Sequence, residues 1–355
     1  AARRAYRTAL ETEPGLAAPY IELANVLVAG GDDKAAAEVY RALSGRRPEH
    51  AMAHAGLGRA LLRLGRCAEA RAALAKAVKL APEKAEFLAG LGAAHFACGN
   101  ETAGEAAYRE AIDADPEYRP AYEALDARHA ARGPAARVER WRGVAEAHPE
   151  AALPLRYLGA ALADNGDGGG AVEALEAALE RAPGSAELHA LLGCVFMDAG
   201  RADAAVAAFE AAVAAEAGNV KYRCALGDAL QAAGRREAAL DAYRRAVDAA
   251  PEHYAPYAAI AEIYAGHPEQ CLAELARIAE EYPEASRPHF ALGRLLAQQG
   301  RTAQAIAELR RAAGANAGDA AVHATLGRVL LDTGRYHEAA RAFERALRIN
   351  PDIPE

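Results

Sequence analysis

The chain has 355 residues and a net charge of −8, with acidic and basic residues interspersed along it. This distribution excludes the basic stripe with which nucleic-acid-binding proteins neutralise phosphates, and no apolar run approaches the roughly 18 residues needed to cross a bilayer. Hydrophobic residues make up 52% of the chain but aromatic residues only 6%, because alanine supplies much of the apolar content. Alanine is the strongest helix former, and Val, Ile and Thr never gather into alternating runs. The composition therefore predicts an all-α protein with closely packed helices.

In chain order, the first predicted element is a single helix over 1–16, followed by ten helical hairpins over 17–353 and a tail at 354–355. The first helix has the pattern of the second helix of a hairpin whose partner is missing. The last hairpin lacks a polar capping helix, so Leu347 and Ile349 are expected to lie partly exposed. The chain is therefore expected to be a segment of a longer protein, or to pair with another copy through its ends.

Glycines mark the turn inside each hairpin, where a chain leaving a helix needs a left-handed residue. Prolines mark the turn between hairpins, because proline lacks an amide donor and stops the second helix. Together they predict a helix–turn–helix unit of about 34 residues. The glycines are Gly31, Gly65, Gly99, Gly133, Gly166, Gly200, Gly234, Gly266, Gly300 and Gly334, and the prolines are Pro14, Pro48, Pro82, Pro116, Pro149, Pro183, Pro251, Pro283 and Pro351.

Two further patterns recur inside the units. The first helix carries a Leu-Gly pair, as at Leu57-Gly58. A glycine in mid-helix costs up to about 1 kcal/mol relative to alanine, so its recurrence predicts the close approach of another helix backbone. The second helix carries a small residue followed four places later by a large one, as in Ala70/Leu74. This spacing predicts a knob beside a recess on one helix face.

These residues resemble the tetratricopeptide repeat family, whose signature of about 34 residues has Leu-Gly, Ala, an aromatic residue and Pro in this order. The resemblance covers the whole chain. It implies a right-handed α-solenoid, a superhelix of stacked hairpins, that binds another polypeptide and catalyses no reaction. Where the family usually has tryptophan in the first helix, this chain has His or Tyr in most repeats. Repeats 1–10 begin at Ala17, Ala51, Ala85, Arg119, Ala152, Ala186, Val220, Tyr254, Ser286 and Ala320.

Two repeats depart from the pattern. Repeat 4 is one residue short, with Asp126 where glycine is expected and Arg137 where alanine is expected. Repeat 8 is two residues short, which cuts the turn around Gly266. Both departures predict a local change in superhelical pitch.

No catalytic, cofactor-binding or metal-binding constellation emerges from the sequence. The glycine-rich run Asp164–Gly170 lacks the Gly-Lys-Ser/Thr ending of a phosphate loop and follows a helix rather than a strand. His50 and His54 have the spacing of a helical metal site, but His50 falls in an inter-repeat turn and His54 takes a packing place. The five cysteines are scattered and odd in number, which is typical of reduced thiols and favours a cytoplasmic protein.

The remaining candidate is the concave surface. In tetratricopeptide repeats the second, fifth, ninth, twelfth and thirteenth places of each repeat project inward. The resemblance therefore implies a groove that is basic early in the chain, acidic in the middle and basic again at the far end. Exposed methionine and phenylalanine beside these charges suit adaptable peptide binding. The predicted groove residues are Met52, Arg59, Leu62, Arg63, Phe96, Arg156, Met197, Asp198, Asp228, Gln231, Glu262, Arg287, Phe290, Arg294 and Arg328.

The sequence thus predicts a protein-interaction scaffold that binds an extended or helical polypeptide, with no cofactor, no nucleic acid and no membrane insertion. Two alternatives stay open. One is the recognition arm of an enzyme, such as a glycosyltransferase or sulfotransferase, whose catalytic domain lies outside this segment. The other is a scaffold that self-assembles through uncapped solenoid ends.

Overall fold

The computed structural model describes residues 17–352, which form two compact halves that meet in sequence at Pro183 and Gly184. The predicted helix over 1–16 and the tail at 354–355 lie outside the described residues. All regular structure within 17–352 is helical, which confirms the all-α prediction. The single continuous solenoid over 17–353 stays a prediction.

Each repeat supplies two helices, so odd-numbered helices are first helices and even-numbered helices are second helices. The N-terminal half contains α1 (Ala17–Ala29), α2 (Asp33–Arg46), α3 (Ala51–Arg63), α4 (Cys67–Leu80), α5 (Ala85–Ala97), α6 (Glu101–Ala114), α7 (Arg119–Ala130), α8 (Pro134–Ala147), α9 (Ala152–Asp164) and α10 (Gly168–Arg181). The C-terminal half contains α11 (Ala186–Asp198), α12 (Ala202–Ala215), α13 (Val220–Ala232), α14 (Arg236–Ala249), α15 (Ala255–Ile263), α16 (Pro268–Glu281), α17 (Ser286–Gln298), α18 (Thr302–Ala315), α19 (Ala320–Asp332) and α20 (Tyr336–Ile349).

The predicted left-handed turns are present in every repeat. All ten turn glycines have φ between +68° and +99°. In regular repeats the residue after the glycine returns to the first helix; the Arg66 amide donates to the Leu61 carbonyl at 2.9 Å. This 6→1 hydrogen bond closes the helix end and turns the chain into the second helix. Glycine is required here because a side chain at positive φ would clash with the backbone.

The glycine of the Leu-Gly pair receives the large knob of the second helix in the same repeat. A Cβ added to Gly58 would lie 2.4 Å from Leu74 Cγ, and one added to Gly227 would lie 2.4 Å from Tyr243 Cε1. The nearest neighbour is therefore a side chain sixteen residues later in the chain, rather than the helix backbone that the sequence pattern suggested. Backbone comes second, as with the Ala70 carbonyl oxygen at 3.1 Å from the Gly58 position.

Histidine and tyrosine at the fourth place of a repeat tie it to the preceding turn. His54 Nε2 lies 2.9 Å from the Pro48 carbonyl oxygen, and Tyr257 OH donates to the Pro251 carbonyl at 2.7 Å. The same hydrogen bond, six residues apart, occurs at Tyr122, His289 and His323. These rings thus fill the place of the usual tryptophan and also satisfy a carbonyl between repeats.

A largely buried polar cluster stabilises repeat 4. It contains Asp126 and Arg137, the two residues that depart from the repeat pattern. Arg137 donates from Nε and Nη2 to the two carboxylate oxygens of Asp126, each at 2.7 Å. Trp141 Nε1 also donates to Asp126, at 2.8 Å, and its ring stacks on Tyr122 with centroids 5.4 Å apart. The acid at the glycine place and the base at the alanine place therefore compensate each other.

The two shortened repeats are each bridged by a glutamate from the preceding repeat. Glu117 accepts a 2.6 Å hydrogen bond from the amide of Ala152, the first residue of repeat 5. Glu252 accepts one of the same length from the amide of Ser286, the first residue of repeat 9. Each carboxylate satisfies the start of a helix two repeats further on, across the shortened repeat. The shortened repeats thus bring their flanking repeats into direct hydrogen bonding.

Within each half, the first helices of successive repeats lie closer together than the second helices. Direct contacts join α3 to α5 and α7 to α9 in the N-terminal half, and α13 to α15, α15 to α17 and α17 to α19 in the C-terminal half. Because the second helices approach one another less closely, the first helices lie on the inner side of each stack. We call the surface they form the inner face of that half.

Candidate binding surface

The ninth place of each repeat forms a ladder of side chains along the inner face of the C-terminal half. The ladder changes from acidic to basic between repeats 8 and 9. The two acidic residues therefore lie on neighbouring first helices, and so do the two basic residues. The members of this ninth-place ladder are Cys194, Asp228, Glu262, Arg294 and Arg328, all exposed except the half-buried Arg294.

A tyrosine and two thiols surround the acidic part of the ladder. Tyr243 OH donates a 2.6 Å hydrogen bond to Asp228 Oδ1, and burial together with this bond raises the pKa of Tyr243. Burial and the Asp228 charge raise the pKa of Cys224 to about 11. Burial and Asp198 likewise raise the pKa of Cys194. Both thiols are therefore protonated and weakly nucleophilic at neutral pH.

Aromatic rings support the basic part of the ladder. Arg294 Nη1 donates to Tyr254 OH at 2.8 Å. The guanidinium carbons of Arg287 and Arg294 each lie 5.7 Å from the centre of the Phe290 ring. Arg287 also pairs with Asp319 at 2.9 Å. The expectation that Phe290 is exposed in the groove is wrong: it is only 4% exposed, because the two arginines cover its ring.

The inner face of the N-terminal half carries arginines that are engaged within that half. Arg59 forms an ion pair with Glu86 of the next repeat. Arg63 Nε donates to Asp33 Oδ1 of the preceding repeat at 2.5 Å. The Arg156 guanidinium carbon lies 4.5 Å from the ring centre of the tyrosine that follows it. These three predicted groove residues therefore contact neighbouring groups within their half, and their role in a binding groove stays a prediction.

The other predicted groove residues differ in exposure. Met52 is exposed, and Leu62 packs against the core of the N-terminal half. In the C-terminal half, Asp198 is exposed whereas Met197 and Gln231 are half-buried.

Two recesses open on the inner faces, one beside each shortened repeat. The recess between α5 and α7 has a volume of about 580 Å³, and the one between α15 and α17 about 220 Å³. The first is lined by Ala93, Phe96, Ala97, Tyr108, Ala124, Ala127 and Arg128. The second is lined by Tyr254, Tyr257, Ala258, Ala261, Leu275, Ala291, Arg294, Leu295 and Gln298.

Both recesses combine alanine walls with an arginine held against an aromatic ring. In the first, the Arg128 guanidinium carbon lies 3.6 Å from the Phe96 ring centre, and Phe96 stacks on Tyr108 at 5.6 Å. A cation over a ring face is attracted by the ring quadrupole. Arg128 and Tyr254 are absent from the predicted groove residues, because neither occupies a place that projects inward in regular repeats.

Structural roles explain the residues that invite a chemical interpretation. His50 Nδ1 accepts from the Ala53 amide at 3.3 Å and caps α3, while Asp167 accepts from the Gly170 amide at 2.9 Å and caps α10. Within 17–352, no group of three His, Cys, Asp or Glu side chains is arranged to hold a metal ion. None of the described helices is long and apolar enough to span a membrane.

Comparison with solved structures finds several similar chains. The match to Naa15/Naa10 bound to HypK-THB has 15% identity and a TM-score of 0.41, and it covers 95% of this chain and 64% of that chain. This chain thus spans less than two thirds of that protein's length. The match to YrrB, described as a TPR protein with an unusual peptide-binding site, has 18% identity and a TM-score of 0.35, covering 63% of this chain and 98% of that one. The match to MamA 41-end from Desulfovibrio magneticus RS-1 has 15% identity and a TM-score of 0.33, covering 48% and 97%.

No curated protein matches the chain. Family models described as Tetratricopeptide repeat, however, match residues 21–70, 56–119, 190–254, 262–329 and 296–355. These matches span well over half of the chain, and the glycine turns and paired helices described above fit them. The chain belongs to the tetratricopeptide repeat family.

Proposed function

We propose that this chain is a protein-interaction scaffold that binds a polypeptide on the inner face of its first helices. The observation that carries the proposal is the recess between α5 and α7, whose volume of about 580 Å³ falls within the range of about 300–1,000 Å³ typical of ligand pockets. Its alanine walls leave room for an apolar side chain. Arg128, held over Phe96, supplies a charged group at the rim that can orient the bound chain.

The stacked hairpins favour binding with little ordering on the receptor side. Buried knobs such as Leu74 and Tyr243 fix each first helix against its partner, so the inner face is largely formed before a ligand arrives. A preformed surface loses less conformational entropy on binding. The smaller recess between α15 and α17, of about 220 Å³, has a similar rim with Arg294 over Tyr254 and offers a second anchor. The proposal assigns no catalytic role to the chain.

Filling the recesses tests this proposal. Peptides that bind the full chain would be selected from a displayed random library. Their affinities would be measured by fluorescence anisotropy. Ala127 and Ala258 are exposed residues that line the two recesses. Ala127→Trp, Ala258→Trp or the double variant should weaken binding of a selected peptide by about tenfold or more, as filling an anchor pocket does.

A matched control is Ala106→Trp, which adds the same side chain at an exposed place on the second helix α6. It should leave affinity unchanged, and all variants should keep the helical circular dichroism of the parent. If every selected peptide binds the double variant as tightly as the parent chain, the inner-face recesses are not the binding surface and the proposal fails.

A further inference from the structure

We propose that the C-terminal half recognises a charge-segregated segment, with basic residues meeting the Asp228 and Glu262 side and acidic residues meeting the Arg294 and Arg328 side. The inference rests on the proposed function and names the chemistry of the partner. It is carried by the ninth-place ladder, in which two acids on successive helices are followed by two bases on the next two.

The ladder lies on four helices that contact one another in order, α13, α15, α17 and α19. Packed helix axes lie about 10 Å apart, so three helix-to-helix steps from Asp228 to Arg328 span roughly 30 Å. An extended chain advances about 3.3 Å per residue. A segment of about nine residues therefore reaches from the acidic end of the ladder to the basic end.

The charges of the ladder are largely available to a partner. Within the described residues, the side chains of Glu262 and Arg328 make no hydrogen bond or ion pair. Arg294 uses Nη1 for the neutral Tyr254 hydroxyl, which leaves its other donors without an acid. Elsewhere in this half, opposite charges of successive repeats do pair, as Arg301 does with Glu269 at 2.5 Å. The ladder residues Glu262 and Arg328 thus differ from Arg301 and from the inner-face Arg287, whose charges are paired within the chain.

The recess between α15 and α17 sits where the ladder changes sign. Its walls include Ala258, Ala261 and Ala291, and Arg294 and Tyr254 lie at its rim. An apolar side chain seated there would place residues on one side of it against Glu262 and those on the other side against Arg294. The preferred segment therefore has a basic block, an apolar residue and an acidic block.

A segment of uniform charge fits this face poorly. Like charges brought together across an interface cost binding energy, whereas complementary potentials set register and partner choice. A wholly acidic or wholly basic chain would meet repulsion over half of the ladder. The same reasoning excludes a nucleic acid strand as the occupant, since its phosphates would face Asp228 and Glu262.

The test compares two labelled peptides of about nine residues with identical composition, Lys, Ser, Leu and Glu. The first, called the blocked peptide, has its Lys and Glu residues in separate blocks on either side of a central Leu. The second, called the interleaved peptide, has Lys and Glu alternating. In low-salt fluorescence anisotropy with the full chain, the blocked peptide should bind about tenfold more tightly, because each of its four ion pairs with the ladder contributes a factor of about two. This preference should fade as salt is added.

Charge reversal on the ladder should remove the preference. In Arg294→Glu/Arg328→Glu the ladder becomes wholly acidic, so the blocked peptide should lose about tenfold in affinity while an all-Lys analogue gains. The matched control is Arg301→Glu/Arg335→Glu, which makes the same charge change in the same two repeats at arginines paired on Glu269 and Glu338. The control should retain the preference for the blocked peptide.

A native thiol reports the direction of binding. All five cysteines lie within the described residues, and Cys194 is the only exposed one. It is the ladder member one repeat before Asp228, at the acidic end. Its raised pKa makes unassisted alkylation slow, so acceleration reports proximity. A chloroacetyl group on the basic end of the blocked peptide should label Cys194 faster than the same group on the acidic end, as read by peptide mass spectrometry.

The outcomes separate the two proposals. Equal affinity for blocked and interleaved peptides, or equal labelling from both ends, overturns the charge-segregated partner and leaves the inner-face scaffold standing. Failure of both peptides to bind also overturns the inference, while the scaffold is judged by the library-selected peptides and the recess-filling variants. Loss of the preference in Arg294→Glu/Arg328→Glu but not in its control supports the inference.

Discussion

The inner faces of the two halves differ in how many of their charged side chains form ion pairs with neighbouring repeats. In the N-terminal half, Arg59 and Arg63 are paired with acids of the neighbouring repeats. In the C-terminal half, Glu262 and Arg328 have no such partner among the described residues, although Glu262 lies on a helix that contacts the helix of Arg294. Arg59 and Arg328 both occupy the ninth place of a repeat. The same place therefore forms an ion pair between repeats in one half and leaves an arginine unpaired in the other.

This difference shows that a groove charge has to be judged by its neighbours as well as by its place in the repeat. An exposed ion pair contributes only about 0–1 kcal/mol to stability, so leaving Arg328 unpaired costs the fold little. The same charge can add affinity and on-rate when a complementary partner arrives. Arg59, already neutralised by Glu86, offers less to a ligand.

The largest expected effect comes from the most deeply paired arginine of the N-terminal half. Arg137→Ala should destabilise this half by about 3 kcal/mol, because it leaves the Asp126 carboxylate largely buried without its two strongest donors. Urea unfolding followed by the fluorescence of Trp141, the single tryptophan of the chain, measures the loss.

Two controls sharpen that comparison. Arg142→Ala removes an arginine whose pair with Glu139 is exposed and should cost no more than about 0.5 kcal/mol. The double variant Asp126→Gly/Arg137→Ala restores the residue types of a regular repeat and should recover most of the stability. A double variant no more stable than Arg137→Ala would mean that the cluster does not substitute for the glycine and alanine packing.

Much of the fold could be predicted from the sequence because each repeat restates the same local requirements. Gly31 and its nine equivalents need positive φ whatever surrounds them. Gly58 and Leu74 are complementary within one hairpin, so their spacing alone reveals the contact. The compensation between Asp126 and Arg137 was visible only as two separate departures, since nothing in the sequence shows that both side chains point into the same gap.

The candidate binding surface was harder to predict than the fold. Repeat places indicate which way a side chain leaves a regular helix, but they do not show which side chains line a recess between two helices. Arg128 and Tyr254 line the recesses although neither occupies an inward place of a regular repeat. Phe290 has an inward place and is still buried, because two long arginine side chains lie over it. Such coverage depends on rotamers of neighbouring repeats, which periodicity does not encode.

The two halves should lose stability at different pH values when the solution is acidified. Burial lowers the pKa of His129, outweighing the opposing effect of Glu105, so the folded N-terminal half holds it neutral. The unfolded chain binds a proton near pH 6.5, and the N-terminal half should therefore lose stability as pH falls below about 6.5. His95, whose pKa is also lowered by burial, adds to this slope. His129 packs 5.5 Å from Trp141, so tryptophan fluorescence follows the region directly.

In the C-terminal half, Glu274 adds a response at lower pH. Burial tends to raise the pKa of Glu274, but hydrogen bonds from Arg244 and Arg277 lower it overall. Its contribution is therefore complete above the unfolded value of about 4.3 and is lost as pH falls through the lower folded value. Hydrogen exchange read by mass spectrometry follows the two halves in one sample. His129→Leu should reduce the slope between pH 7 and 5 in the N-terminal half only; an unchanged slope would contradict the assignment.

The smallest effect tests the charge comparison itself. Arg63→Ala should lower the stability of the N-terminal half by about 0.5–1 kcal/mol, because it removes the link from α3 to Asp33 at the start of α2. Arg328→Ala removes no such link and should change stability by less than about 0.5 kcal/mol, while weakening the blocked peptide. Urea midpoints in low and high salt measure both, since only the Arg63 effect should shrink as salt screens the pair. Equal, salt-sensitive losses in the two variants would mean that Arg328 is held by the fold after all, and the two inner faces would no longer differ in how they treat charge.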